Sequence, residues 1–179
     1  MKKLILLLLV ISVFSCTKQL DFDQAKQLNI TPVFEGDIFY LDLGKDNLTD
    51  QIGSFRNEIK DTIDFGIFKD GKVRDAFVKA EIYVKYKNSF QRNFKTIVSY
   101  IDENKQQVDA DTLNIIPANV GQNVEGEEVY TYVKALNPDF INFRKIVVKI
   151  EVSPNTQPVE DEHIHLQTKG IFYTKYTIE

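Results

Sequence analysis

Apolar and polar side chains alternate most strictly over residues 77–87, where Val78, Ala80, Ile82, Val84 and Tyr86 are interleaved with Lys79, Glu81, Tyr83, Lys85 and Lys87. A period of two places these sets on opposite faces of a β-strand, one against a core and one in water. The same period runs through 37–43, with Phe39, Leu41 and Leu43 on one face, and through 61–68, with Ile63, Phe65 and Ile67. It returns over 144–152 in Ile146, Val148, Ile150 and Val152. Residues 94–101 lead into the polar stretch 102–105 and come back through Gln107 and Val108, which predicts a hairpin. Segments 112–116, 128–133 and 163–176 bring the total to about eight strands, the spacing of a sandwich. One stretch has another period. Leu48, Ile52, Phe55 and Ile59 recur at steps of four, three and four behind Asn47 as N-cap, predicting one short amphipathic helix. Pro117, Pro138, Pro154 and Pro158 fall between the predicted strands, where they break no ladder. The pattern predicts an all-β chain, an antiparallel β-sandwich of immunoglobulin-like kind with one short helix.

The first residues follow a different rule. Lys2 and Lys3 precede an apolar stretch over 4–14, interrupted by Ser12 alone, which is too short to span a hydrocarbon core about 30 Å thick. Such a segment predicts a cleaved export signal. Val13-Phe14-Ser15-Cys16 resembles a lipobox, in which a small residue precedes the cysteine that receives diacylglycerol and becomes the mature N-terminus. On that reading residues 1–15 are a lipoprotein signal peptide. Residues 16–29, polar apart from Leu20, Phe22 and Leu28, are a lipidated tether, and 30–179 form a single β-sandwich domain.

Charge sharpens the anchor. Of 22 basic and 26 acidic side chains, the signal holds two basic ones, so the mature chain carries a net charge of −6. That balance excludes nucleic acid and electrostatic adhesion to anionic lipid, which leaves the acyl chains on Cys16 as the route to the membrane. Cys16 is also the single cysteine, so no intrachain disulfide and no thiolate metal cluster can form.

The Cys16 signal, Leu20-Asp21-Phe22-Asp23-Gln24, Thr31-Pro32-Val33 leading into 38–43, Asn88-Ser89-Phe90 followed by Phe94, and the closing Leu166-Gln167-Thr168-Lys169-Gly170 together resemble flavobacterial-type outer-membrane lipoproteins of the Bacteroidota. The resemblance spans most of the mature chain and implies a cell-envelope location and a β-domain. It carries no catalytic motif. Surface-exported lipoproteins of that group usually have acidic residues directly after the cysteine, whereas Thr17, Lys18 and Gln19 stand here and Asp21 and Asp23 come later, which favours a periplasmic facing over the cell surface and leaves both open.

Candidate chemistry is sparse. His163 and His165, the two histidines of the chain, are two apart in a predicted strand, so both imidazoles project from one face as candidate zinc or copper ligands. The same spacing also suits an exposed strand face. Asp61-Thr62-Ile63 and Asp111-Thr112-Leu113 resemble the O-glycosylation sites of Bacteroidota envelope proteins, making Thr62 and Thr112 candidate modification sites, and the same triplets equally suit a threonine that starts a strand after an aspartate turn. Asp70-Gly71 reads as a turn, because the alternating ligands of a calcium loop are missing. The acids at 125–128 and 160–162 read as solvated loop charges. Tyr83, Tyr130, Tyr132 and Tyr173 are expected to face outward among lysines as a contact surface. No nucleophile elbow, phosphate loop, dinucleotide fingerprint or zinc-protease motif is present, so neither an enzyme nor a cofactor is expected. The expected function is a lipid-anchored, non-catalytic accessory subunit bound to an outer-membrane β-barrel or to assembly, export or uptake machinery. The alternative is a surface-exposed lipoprotein that binds glycan or peptide.

Overall fold

In the computed structural model, residues 29–50, 56–152 and 161–177 are described. The expected signal, lipidation site and most of the tether lie outside them. Two compact units are present. The smaller holds an antiparallel pair, β1 (Asn29–Ile30) with β10 (Tyr176–Thr177), so Asn29, expected at the end of a tether, is paired with Thr177.

The larger unit, Thr31–Lys175, is an antiparallel β-sandwich. Its strands are β2 (Val33–Gly44), β3 (Glu58–Asp64), β4 (Phe77–Asn88), β5 (Phe94–Asp102), β6 (Gln107–Ile115), β7 (Val124–Val133), β8 (Phe143–Val152) and β9 (His163–Thr174). One sheet has the order β2-β9-β4-β7 and the other β3-β8-β5-β6. The first strand pairs with the last, the second with the second last, and so on inward to the β5–β6 hairpin. That nested pairing is one long hairpin rolled on itself, the jelly-roll order. The all-β sandwich is as the alternation predicts, while the four-and-four nested order distinguishes it from the immunoglobulin arrangement.

Alternation decides which side chains go inside. Along β8 every second residue from Ile146 to Val152 is buried, and along β9 so are Ile164, Leu166, Thr168, Gly170 and Phe172. The centre is aromatic. Phe140 stacks on Tyr132 with ring centroids 3.8 Å apart and meets Phe68, Phe77, Tyr100 and Phe143 at tilted or edge-on angles. Burying rings of this size supplies much of the hydrophobic stabilisation of a disulfide-free domain. Phe140 itself comes from a 3-10 turn, Pro138–Asn142, whose proline stands at the first turn, where its missing N–H costs nothing.

The predicted β5–β6 hairpin is present. The Asp102 carboxylate accepts the Gln106 amide at 2.7 Å, and Lys105 takes a left-handed φ of 65°. The predicted helix is not as expected. A single turn, α1 (Lys45–Leu48), ends at an extended Thr49, and Ile59 lies in β3; Ile52 and Phe55 fall outside the described residues. Leu48 and Ile59 both turn toward the core, so helical spacing is mimicked by two unrelated elements. Phe65 and Ile67 follow β3 instead of extending it, with Ile67 opening a 3-10 turn, Ile67–Lys69. The turn read at Asp70-Gly71 is the start of a second short helix, α2 (Gly71–Ala76), where the Asp70 side chain accepts the Lys72 amide at 2.8 Å as N-cap.

Candidate functional site

The side chains richest in chemistry lie on the outer face of the β2-β9-β4-β7 sheet. Register sets their rows. Asp42 of β2 stands opposite His165 of β9, which stands opposite Lys87 of β4, and Lys87 stands opposite Glu125 of β7. Two residues along, Tyr40, Gln167, Lys85 and Glu127 form the next row.

His163 and His165 project from this face together, as their spacing predicts, with ring planes 7° apart and centroids at 5.9 Å. What joins them is Asp42. Its Oδ1 lies 3.3 Å from His163 Nδ1 and 3.1 Å from His165 Nδ1, while the Tyr40 hydroxyl stands 3.3 Å from His165 Nδ1. All three members of the carboxylate–imidazole cluster are open to water, with side chains 38–46% exposed. A groove of about 330 Å³ borders it, lined by Asp42, Gly44, Lys45, Asp46, Asn47 and His163. Among the described residues no group of three or more histidine, cysteine, aspartate or glutamate side chains is arranged to hold a metal ion.

A second cluster occupies the opposite end of the same face. Glu81 accepts from Lys79 at 2.8 Å, from the Tyr173 hydroxyl at 2.9 Å and from the Tyr83 hydroxyl at 3.4 Å, and the Lys79 ammonium lies 4.2 Å from the centre of the Tyr173 ring. The Lys79 hydrogen bond, then that of Tyr173, holds the Glu81 carboxyl below the usual carboxylate range. The same bond raises the Lys79 ammonium. Elsewhere on the face Lys169 pairs with Glu35, Lys85 with Glu127 and, beside His165, Lys87 with Glu125. The face is thus a lattice of tyrosine, histidine and paired charge.

Tyr83 and Tyr173 belong to this face, as their alternation predicts. Tyr130 and Tyr132 do not. They occupy the inward positions of β7 opposite Ile82 and Ala80, with Tyr132 only 4% exposed and the Tyr130 hydroxyl donating to the Thr112 carbonyl. Beneath them the Tyr100 hydroxyl donates to Asp111 Oδ2 at 2.7 Å. Burial nonetheless raises the Asp111 carboxyl, because the charged form loses more hydration than this bond returns. The acids at 160–162 are likewise not all solvated: Glu162 is 9% exposed and accepts the Gln91 amide, with buried Arg92 beside it. Thr62 and Thr112 are exposed on the outer face of the other sheet, on its two edge strands β3 and β6. Cys16 lies outside the described residues.

Asp42 and Tyr40 are what the sequence reading lacks. They are 121 and 125 residues away from His163 and His165 respectively, and only the β2–β9 ladder brings them together. Alternation assigns both to the polar face of β2, but it does not give the register.

No family model matches the chain, and no curated protein does. Solved structures similar to it include the infectious bursal disease virus VP2 subviral particle, at 10% identity and a TM-score of 0.46, matching 80% of this chain and 32% of that one. The enzymatically active domain of bacteriophage CBA120 tailspike protein 4 is similar over 82% of this chain and 19% of its own, at 10% identity and a TM-score of 0.38. Desmodium yellow mottle tymovirus matches at 9% identity and a TM-score of 0.30, over 85% of this chain and 90% of that one. The chain therefore spans about a third of the VP2 chain that it resembles.

Proposed function

We propose that the protein is a lipid-anchored, non-catalytic interaction subunit of an outer-membrane protein complex, held by an acylated Cys16 and docked through the outer face of the β2-β9-β4-β7 sheet. The observation that carries the docking half is Tyr40. It is 66% exposed beside the His165–Asp42 contact, so an aromatic anchor stands next to groups that can both donate and accept hydrogen bonds. Partly hydrated tyrosine and histidine beside paired charge suit a polar protein–protein contact, where an aromatic anchor contributes most of the binding energy. Open placement of the His163–His165–Asp42 cluster supports the non-catalytic half. A general base works best where water is excluded, and these side chains are hydrated. Among the described residues no helix is long and apolar enough to cross a membrane, and the anchoring half rests on the lipobox resemblance at 13–16.

The test is native purification in mild detergent from cells expressing the full chain, its Cys16→Ala form and a Tyr40→Ala, His165→Ala form. The expected result is a membrane-bound complex with an outer-membrane β-barrel protein for the first. Cys16→Ala should lose membrane attachment, while the face variant should stay in the membrane but release its partner. Outer-membrane retention of Cys16→Ala after a high-salt wash overturns the anchor, and an intact complex in the face variant overturns the docking surface. Digestion by protease added to intact cells would identify the surface-exposed glycan- or peptide-binding alternative.

A further inference from the structure

Strands β2 and β3 are the edges of the two sheets on one side of the sandwich, each paired with a single neighbour, β9 or β8. Between them runs a groove of about 230 Å³ lined by Ile38, Phe39, Tyr40 and Leu41 from β2, Asp61 and Ile63 from β3, and Val148 from β8. Apart from Tyr40 and Asp61, its lining side chains are aliphatic or phenylalanine. Asp61 takes an inward position of β3, between Ile59 and Ile63, and its carboxylate therefore stands in the mouth of the groove. Among the described residues no lysine, arginine or histidine pairs with it. Its Oδ1 accepts the Thr62 amide at 2.7 Å, whereas Glu35, Glu58 and Asp64 nearby on the two edges are ion-paired with Lys169, Lys149 and Lys145.

We propose that this seam binds an extended peptide segment that adds to the free edge of β3 and places a lysine or arginine opposite Asp61, flanked two residues away on each side by aliphatic residues. Three features specify that occupant. The free edge of this seven-residue strand turns backbone donors and acceptors outward at every second residue, the Thr62 amide among them being held by Asp61 Oδ1, and a strand, unlike a compact ligand, can pair along such a row. Side chains directly opposite one another in a ladder share a face, so the inward series Ile59, Asp61, Ile63 calls for an incoming aliphatic, cationic, aliphatic series at every second residue. Charge selects the sign: of the residues lining the groove Asp61 alone is charged, and among the described residues no cationic side chain pairs with it. A second copy of the chain fits poorly. Full antiparallel pairing of β3 with itself sets Asp61 against Asp61 and Glu58 against Asp64, and like charges directly opposite are destabilising.

The site borders the outer face proposed for docking at Tyr40, which lines the groove as well, but Asp61 and the β3 edge belong to the other sheet and the site does not depend on lipidation. It is tested with the full chain by fluorescence anisotropy, using labelled peptides of alternating sequence that carry isoleucine, lysine and isoleucine at the three inward positions, or glutamate in place of the lysine. The lysine peptide should bind saturably and the glutamate peptide about tenfold or more weakly. Asp61→Lys should reverse that preference. Asp61→Asn, which keeps the shape of the side chain, should remove the preference while leaving strand pairing intact. Hydrogen exchange should show new protection over Glu58–Asp64 when the lysine peptide is bound. Equal binding of both peptides, an unchanged preference in either variant, protection elsewhere, or no saturable binding overturns the proposal.

Discussion

Gly170 lies at an inward position of β9 directly opposite Gly36 of β2 and Ile82 of β4. A Cβ there would stand 2.5 Å from Phe172 Cε2, 2.9 Å from its Cζ and 3.0 Å from Ile38 Cδ1. Carbon atoms pack best at about 3.5–4.0 Å, so in Gly170→Ala the Phe172 ring must move by roughly 1 Å. It has little room. Phe172 is 4% exposed, with the Phe65 ring centroid at 5.7 Å and that of Phe68 at 6.0 Å. Overpacking of this kind costs about 1–3 kcal/mol. Relief of the glycine entropy penalty in a strand returns about 0.5–1 kcal/mol, leaving a net loss of roughly 0–2.5 kcal/mol. Phe172→Leu removes the ring atoms that clash, so on that background Gly170→Ala should be neutral or stabilising by about 0.5 kcal/mol. The two substitutions should therefore be coupled by about 1–2 kcal/mol. Urea unfolding of the four proteins of the cycle, compared at a common slope, measures this. Additivity within about 0.5 kcal/mol, or a Gly170→Ala protein more stable than the parent, would refute the reasoning.

Other expectations follow from buried polar groups and from the outer face. Asn88 is fully buried, donates to the Ile116 and Phe90 carbonyls and accepts the Phe90 amide, so Asn88→Ala should cost at least about 2 kcal/mol and lower the unfolding temperature in calorimetry. The folded-state carboxyl of Asp111 is raised by burial. The stability it contributes is thus complete below the unfolded carboxyl value of about 3.9 and is lost as pH rises through the folded value. Asp111→Asn, with no proton to lose, should gain stability relative to the parent across that window, and urea titrations at about pH 4 and about pH 7 that show the reverse trend contradict it. Tyr40→Ala and His165→Ala remove exposed groups only, so each should change the unfolding free energy by no more than about 0.5 kcal/mol, which makes them clean probes of binding.

Much of the sandwich was legible because strand alternation is local. A residue's face follows from its parity along the strand, so Val84 and Ile150 could be assigned to the core without knowing their partners. Parity fails where both sets contain large residues. The β7 sequence Val-Glu-Gly-Glu-Glu-Val-Tyr-Thr-Tyr-Val gives no clear apolar face, and only packing against Phe140 and Tyr100 shows that Tyr132 points inward. The helical spacing of Leu48 and Ile59 misled for a related reason: two side chains can reach one core from a helical turn and from a strand.

By itself, the sequence determined that this chain builds β-strands, that His163 and His165 share a face, that no disulfide supports the fold, and that a polar face carries lysine beside tyrosine. Each of these depends on neighbours a few residues apart or on composition. Tertiary structure alone decided the nested strand order, the His163–Asp42–His165 contact, the burial of Asp111 and the Asp61 groove between two edges. All four join segments distant along the chain, and their register is fixed by how whole faces bury together, information that no local window contains.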